Sequence, residues 1–505
     1  MWVLPSIADV FFLVLLGILG FSAVSTTLLR DADTGWHIRN GEIIWATRSV
    51  PHVDVFSYTR AGQPWYAWEW LYDLVIGGIH HVAGLNGVVL FTAAIIAGTF
   101  AILFRLILRR SGSFAVAALL TLLANAAAQV HMLARPHVLS WLFTMLWVEV
   151  LYRFEEGKSS SLLWLPPMML VWVNVHGGFI LGLVLLGIFG AAEIWKHLTA
   201  PTRVSYTPLI QLGAAFCSCS AVSFLTPYGY KLHTHVYGYL SNHFLMDTIQ
   251  EFRSPDFHAE GFGFFEVLIL LAVVGVMLGR KRISATDLLL LLFSIHAGLI
   301  AARNIPISGI LMSFALAPAL ASAISPARNY HPRWLASLLD VIDGISNDMT
   351  TLERRFRAHA LVIVVLAASA AIAINGGRFF SARVLSAHFD DKMFPVKATE
   401  YIAQQGIHDH MFNTDAWSGY LIYKLYPTLK VYFDDRHDFY GEDFLKEYSK
   451  ARDASWQWRE PLDKDQVTRA LVSPASPLAT VMKESKEWRV EYDDGFAIIF
   501  VRGHP

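Results

Sequence analysis

Five short stretches of this chain gather residue types that perform chemistry. The first is Asp31-Ala-Asp33, followed closely by Trp36, His37 and Arg39. The second pairs Arg135 with His137, and the third holds Trp172, Asn174 and His176. Glu251, Arg253 and Asp256 make the fourth, Arg303 and Asn304 the fifth. Glu69 adds a carboxylate inside an aromatic run that includes Trp65, Tyr66, Trp68, Trp70 and Tyr72. Together these types suit transfer at a phosphate. A carboxylate accepts the proton of an attacking hydroxyl, while arginines and histidines bind phosphate and stabilise the charge on the leaving group. Trp36, Trp65, Trp68 and Trp172 offer faces for sugar rings. Plainer readings stand beside these. Arg135 and Arg303 serve equally as snorkelling anchors, His176 before Gly177-Gly178 as the cap of a helical hairpin, and His80-His81 as an interfacial pair. Glu251 to Pro255 reads also as a loop turn with a local ion pair. Asp31 and Asp33 resist a plain reading most, because two carboxylates directly after an apolar run repel each other and lose hydration.

Helices in a membrane must position these residues. Of 505 residues, 54% are hydrophobic and 16% charged, against about 25% charged in soluble domains. The mean hydropathy of +0.43 is too high for a chain folded wholly in water. A net charge of -1 leaves no broad basic surface, so no nucleic-acid partner is expected. Cys217 and Cys219 sit in an apolar run and read as buried small hydrophobes. A membrane-crossing helix needs about 20 apolar residues. Such runs lie near 7–29, 86–108, 113–132, 138–153, 162–177, 179–195, 207–226, 263–279, 285–302, 305–323 and 359–375, predicting eleven spans. The first is too long for a signal-peptide core and is expected to stay uncleaved.

Basic residues assign sides, since cytoplasmic loops carry the Lys/Arg excess. Arg109, Arg110, Arg153, Lys158, Lys196, Arg203, Arg280, Lys281 and Arg282 all fall on one side under this count. Arg328, Arg333, Arg354, Arg355 and Arg357 join them. The N-terminus is therefore expected inside, and everything after 375 outside. All five chemical stretches then converge on the outer face, while the opposite helix ends are expected to hold ordinary basic anchors. Residues 65–82 carry Glu69, Asp73, His80 and His81; they are expected to form a helix lying in the outer interface, within a first loop spanning 30–85.

The tail, 376–505, predicts a separate outer α/β domain after the membrane domain 1–375. Helices are expected at 396–405, 418–425, 442–451 and 478–487, and strands at 411–413, 430–434, 470–473, 488–492 and 496–502. Asp493-Asp494-Gly495 marks a hairpin turn.

The chain resembles the GT-C superfamily of integral-membrane glycosyltransferases, in particular bacterial relatives of the protein mannosyltransferase and aminoarabinose transferase group. The opening motif, Asp31-Ala-Asp-Thr-Gly-Trp-His-Ile-Arg-Asn-Gly-Glu42, is similar to the acidic start of that family's first outer loop. Ala134-Arg-Pro-His137 is similar to its Ala-Arg-Pro-Tyr turn, and Trp172–Gly178, Thr226–Gly229, Ala302–Pro306 and Tyr432–Arg436 resemble further members. The resemblance implies a polytopic α-helical fold in a bacterial inner membrane, with a periplasmic C-terminal α/β domain. It implies a polyprenyl-phosphate sugar donor and a lipid, glycan or protein hydroxyl as acceptor. Asp33, then Asp31, is implied as catalytic base, and Arg135, Arg303, His37 and Arg39 as donor-phosphate contacts. Trp36, Glu69, His137, Trp172, Asn174, His176, Glu251 and Arg253 would bind substrate. Thr34 stands where protein mannosyltransferases carry the second acid of an Asp-Glu pair, so Mg²⁺ or Mn²⁺ on Asp31 and Asp33 is an open expectation. A secondary transporter or a non-enzymatic envelope assembly protein is the alternative. A transporter would place its polar groups near the midplane, often with internal repeats.

Overall fold

The computed structural model describes residues 4–202, 205–279, 282–324, 333–356 and 359–503. Arg203, Arg280, Lys281, Arg328 and Arg357 of the charge argument lie outside these residues, as do the side chains of Arg333 and Arg354.

The apolar runs fold as helices because a helix pairs its own backbone polar groups where no water is at hand. They begin α1 (Ile7–Phe21), α2 (Asp33–Thr47), α3 (Trp70–Ser111), α4 (Phe114–Ala128) and α5 (His137–Glu155). Next come α6 (Leu165–Val175), α7 (Ile180–Thr199), α8 (Thr207–Val222), α9 (Tyr230–Leu240) and α10 (His243–Thr248). The helical frame ends with α11 (Gly263–Leu278), α12 (Ala285–Ile300), α13 (Ile305–Ile324), α14 (Arg333–Arg355) and α15 (His359–Ile374). Every one of the predicted apolar runs is helical. Among the described residues four helices are long and apolar enough to cross a membrane unaided, and five shorter apolar ones accompany them. This is a membrane protein.

Two local expectations need correction. The run 7–29 is not one straight span: it bends by 75° between α1 and a 3₁₀ turn, Ala23–Leu29. At the bend Ser22 turns its hydroxyl back to the Ile18 carbonyl at 2.6 Å and accepts the Val24 N–H at 3.1 Å, replacing helical bonds. The helix expected over 65–82 starts only at Trp70 and runs on to Ser111, broken at Gly84, where φ is 58°. Only glycine takes that angle without strain. Trp65 and Tyr72, expected at headgroup level, are 3% and 1% exposed and belong to the core. The first loop folds inward against the C-terminal residues, which shields them.

Past α15, a short hairpin, β1 (Arg378–Phe379) with β2 (Ala382–Arg383), leads into the C-terminal region. That region holds β3 (Met411–Asn413), β4 (Arg469–Val472), β5 (Trp488–Asp493) and β6 (Ile498–Arg502). They form a four-stranded sheet of order β3-β4-β6-β5, parallel only between β3 and β4. Helices α16 (Val396–Gln405), α17 (Ser418–Leu425), α18 (His437–Arg452), α19 (Arg459–Lys464) and α20 (Pro477–Glu484) surround it. Residues 430–434 are not the strand expected. Val431 instead makes a single parallel bridge to Ser57 of the first loop, donating to the Phe56 carbonyl at 3.0 Å.

Close contacts lock the first loop in place. A Cβ on Gly35 would collide with the Gly419 carbonyl of α17, and one on Gly41 with the Asp73 carbonyl of α3. Both glycines of the opening motif thus let α2 lie directly against two neighbours.

Candidate functional site

The entrance of α2 organises the acidic motif. Asp31 accepts the Asp33 N–H at 2.8 Å, closing the turn that starts the helix. Thr34 donates to the Ala134 carbonyl at 3.1 Å, and the Ala134 N–H donates to the Leu28 carbonyl at 2.7 Å. These bonds pin the α4–α5 turn beside the acids and set Arg135 between them. Its Nη1 lies 3.0 Å from Asp31 Oδ2, and its Nη2 lies 2.7 Å from Asp33 Oδ2. Glu251 stands 3.9 Å from Arg135 and 3.2 Å from Arg303. Trp36 Nε1 donates to Asp33 Oδ1 at 3.1 Å. Burial pushes the Asp33 carboxyl up, while Arg135 works against that rise. Burial likewise opposes the charge on Glu251, but Arg303 and Arg135 outweigh it and hold Glu251 down to about 2.

These groups line a cavity of about 1340 Å³, above the usual range of about 300–1,000 Å³ for small-molecule sites. Asp31, Asp33, Trp36, Glu69, Arg135, His137, His176, Glu251, Arg253 and Arg303 all line it. Apolar residues line it too, among them Leu181, Val236, Leu240, Phe262, Phe293 and Ile307. Glu69 stands 3.7 Å from His37 Nε2 and 3.7 Å from His176 Nε2. Burial, and then the charge of Asp73, push the Glu69 carboxyl well above the usual carboxylate range. His137 donates through Nε2 to the His131 carbonyl at 2.7 Å. The Arg253 guanidinium has no partner among the described residues.

Four expected site residues lie elsewhere. His37 is 1% exposed, faces Asp73 across 2.5 Å and does not line the cavity; burial lowers its imidazole to about 3. Arg39 turns outward along α2 to Glu42 and to the Tyr423 carbonyl. Trp172 is fully buried, donating to Ser140 Oγ at 2.7 Å and stacking on Phe143. Asn174 accepts from Trp70 Nε1 at 2.8 Å and donates to the Leu170 and Leu225 carbonyls. Its amide is spent on joining three segments.

The C-terminal region also supplies cavity residues: Asp415, Asp435, His437 and Asp438. Within Asp434-Asp435-Arg436 the outer pair is structural. Arg436 donates to Asp434 at 2.7 Å and to Asp54 of the first loop at 2.6 Å, all three fully buried. Asp435 alone lacks a hydrogen bond or ion pair to its carboxylate among the described residues. Burial and the nearby charges of Asp33, Asp415, Asp31 and Asp434 push its carboxyl well above the ordinary range. The two carboxylates expected to hold a divalent ion, Asp31 and Asp33, both face Arg135. The group whose ligand atoms lie within 4.8 Å of one another is Asp415, Asp435 and His437.

No protein-family model and no curated protein matches this chain. Solved structures do. The apo oligosaccharyltransferase of Archaeoglobus fulgidus aligns at TM-score 0.52 and 10% identity, over 92% of this chain and 69% of that one. The oligosaccharyltransferase AglB of Archaeoglobus fulgidus, in complex with an inhibitory peptide and a dolichol-phosphate, aligns at 0.54 and 9%, over 98% and 73%. ArnT from Cupriavidus metallidurans bound to undecaprenyl phosphate aligns at 0.48 and 12%, over 97% of each chain. The first two carry the assignment: the chain has the GT-C fold.

Proposed function

We propose that this chain is a membrane glycosyltransferase that moves a sugar from a polyprenyl-phosphate carrier to a hydroxyl of a lipid, glycan or protein. The observation that carries this reading is Asp33, 4% exposed and clamped by Arg135, in the wall of a cavity lined by both polar and apolar side chains. A fold shared with an enzyme crystallised with dolichol-phosphate supports the same class of donor. The cavity faces the periplasm of a bacterial inner membrane in this reading, with the N-terminus cytoplasmic and residues 376–505 as the outer domain.

Each residue then has a task. Asp33 takes the proton of the acceptor hydroxyl as its oxygen attacks the anomeric carbon. The bond between that carbon and the phosphate oxygen breaks, and the phosphate leaves with the electron pair. Arg303 and Arg253 neutralise the departing charge. Arg135 keeps Asp31 and Asp33 in place, so its own charge is largely spent on them. Glu69, neutral through burial, donates a hydrogen bond to a sugar or phosphate oxygen. The polyprenyl chain lies along Leu181, Phe262, Phe293 and Ile307. A divalent cation, where bound, would add charge stabilisation at the phosphate.

The test uses purified protein in nanodiscs, a radiolabelled polyprenyl-phosphate sugar and a membrane-glycan extract. Wild type is expected to transfer label and Asp33→Asn to lose transfer. Equal transfer by both removes Asp33 as the base. Neither transfer nor donor binding in wild type would overturn the transferase reading in favour of a transporter or an assembly protein.

A further inference from the structure

We propose that Asp415, Asp435 and His437 form a divalent-cation site, built wholly from the C-terminal region and opening on the cavity beside Asp33. Its donors are two carboxylates and one imidazole. Hard oxygens alone suit Mg²⁺, whereas an added imidazole shifts preference toward Mn²⁺ or Zn²⁺. Their ligand atoms lie within 4.8 Å of one another. Bonds of about 2.1 Å at tetrahedral angles place ligand atoms about 3.4 Å apart, so side-chain rotations that draw the atoms together by up to about 1.4 Å close the set.

The surroundings favour a bound cation independently of that spacing. Asp435 sits among the charges of Asp33, Asp415, Asp31 and Asp434, yet no protein cation meets its carboxylate among the described residues. Arg452 reaches Asp415 from the other side, at 3.7 Å. Asp31 and Asp33 meet Arg135 and Glu251 meets Arg303, whereas Glu69, which also lines the cavity, has two histidines at 3.7 Å. Among the described residues Asp435 lacks the arginine that Asp31, Asp33 and Glu251 each have, because the adjacent Arg436 is engaged by Asp54 and Asp434; His437, edge-on to Phe433 at 5.5 Å, stands two residues away.

The frame is rigid, as a metal site requires. Asn413 at the end of β3 accepts the Tyr432 N–H at 2.8 Å and donates to the Phe433 carbonyl at 2.9 Å, joining the two segments that carry the ligands. The Asp415 N–H donates to the Tyr448 hydroxyl at 2.8 Å. Asp434 and Arg436, buried in their ion pair with Asp54, fix the backbone on both sides of Asp435. The ligands thus project from a braced corner.

Binding is read without any sugar transfer, so failure here and failure of the transferase reading are separate results. Full-length protein in nanodiscs is titrated with Mn²⁺, following free Mn²⁺ by electron paramagnetic resonance. One saturable site per chain is expected, weakened at least tenfold in Asp435→Asn and in His437→Gln, and changed less than twofold in Asp31→Asn. Mn²⁺ should also raise the unfolding midpoint of wild type and not of Asp435→Asn. Metal-free melts of each variant report whether it folds; if Asp435→Asn does not, His437→Gln and Asp415→Asn carry the comparison. The proposal is overturned if wild type shows no saturable site, if the C-terminal variants bind as wild type does, or if Asp31→Asn abolishes binding that Asp435→Asn retains.

Discussion

The two ends of the helical frame both bury charge, and they do so differently. At the end away from the cavity, Arg110 meets both oxygens of Asp287 at 2.8 and 2.9 Å, and Tyr152 donates to the same carboxylate at 2.5 Å. Asp9 is held by Ser6, Arg105 and His359, and Glu149 by Arg109 and Arg153. At the cavity end one arginine serves three acids, and among the described residues Glu69 has two histidines at 3.7 Å and the Asp435 carboxylate has no partner. Of the basic anchors expected at the far end, Arg110 belongs to a largely buried ion pair, while Arg109, Arg153 and Lys196 are about half exposed in theirs. Burial of charge therefore does not mark the site; incomplete pairing does. Saturated carboxylates have nothing left to offer a substrate, whereas unsatisfied ones await a partner.

The sharpest way to break this comparison is to neutralise one acid at each end. Asp33→Asn should cut transfer about 10²- to 10⁴-fold while leaving the unfolding midpoint nearly unchanged, measured by label transfer and thermal melts of the same preparation. Asp287→Ala should do the reverse. It strands Arg110 and Tyr152, costing about 3–5 kcal/mol, while transfer per folded molecule stays at the wild-type level. If Asp287→Ala lowers turnover as Asp33→Asn does, the two ends do not differ in kind.

Acid unfolding distinguishes paired from unpaired acids within the cavity end. Glu251 is held below its unfolded value of 4.5, at about 2, a difference worth roughly 3 kcal/mol. Its contribution is fully present above pH 4.5 and lost as pH falls toward 2. The stability gap between wild type and Glu251→Gln should accordingly close in that interval. Glu69 carries the opposite sign, because its carboxyl is raised. Wild type should lose stability as pH rises above 4.5, and Glu69→Gln should flatten that decline. The smallest effect belongs to Arg105→Met at the far end. Arg105 is 42% exposed, and pairs of that kind contribute at most about 1 kcal/mol; a larger loss on chemical denaturation would show that even the rim of that network is tightly coupled.

Most of the frame was legible residue by residue. Each apolar run became a helix, and β3, β4, β5 and β6 fall where the tail's strands were expected, because run length and alternation are local properties. Residues 430–434 misled for a related reason. They have strand-like composition, but Asn413 and the first loop take up their backbone groups. Trp172 and His37 were singled out by residue type and proved to be core. Type alone does not tell which face of a helix meets the cavity. Asp434 and Arg436 are tied up in an ion pair, while Asp435 between them is not.

By itself the sequence determined that this is a helical membrane chain with an acidic motif after its first apolar run and a mixed α/β tail. Those conclusions rest on composition and short-range pattern, which the chain carries wherever it folds. The tertiary structure decided which charges meet. Asp31 and Arg135 are 104 residues apart, and Asp54 and Arg436 are 382 apart. No periodicity encodes such pairs. They arise when α2 packs through Gly35 and Gly41 onto α17 and α3, bringing C-terminal carboxylates to the wall where Asp33 already stood.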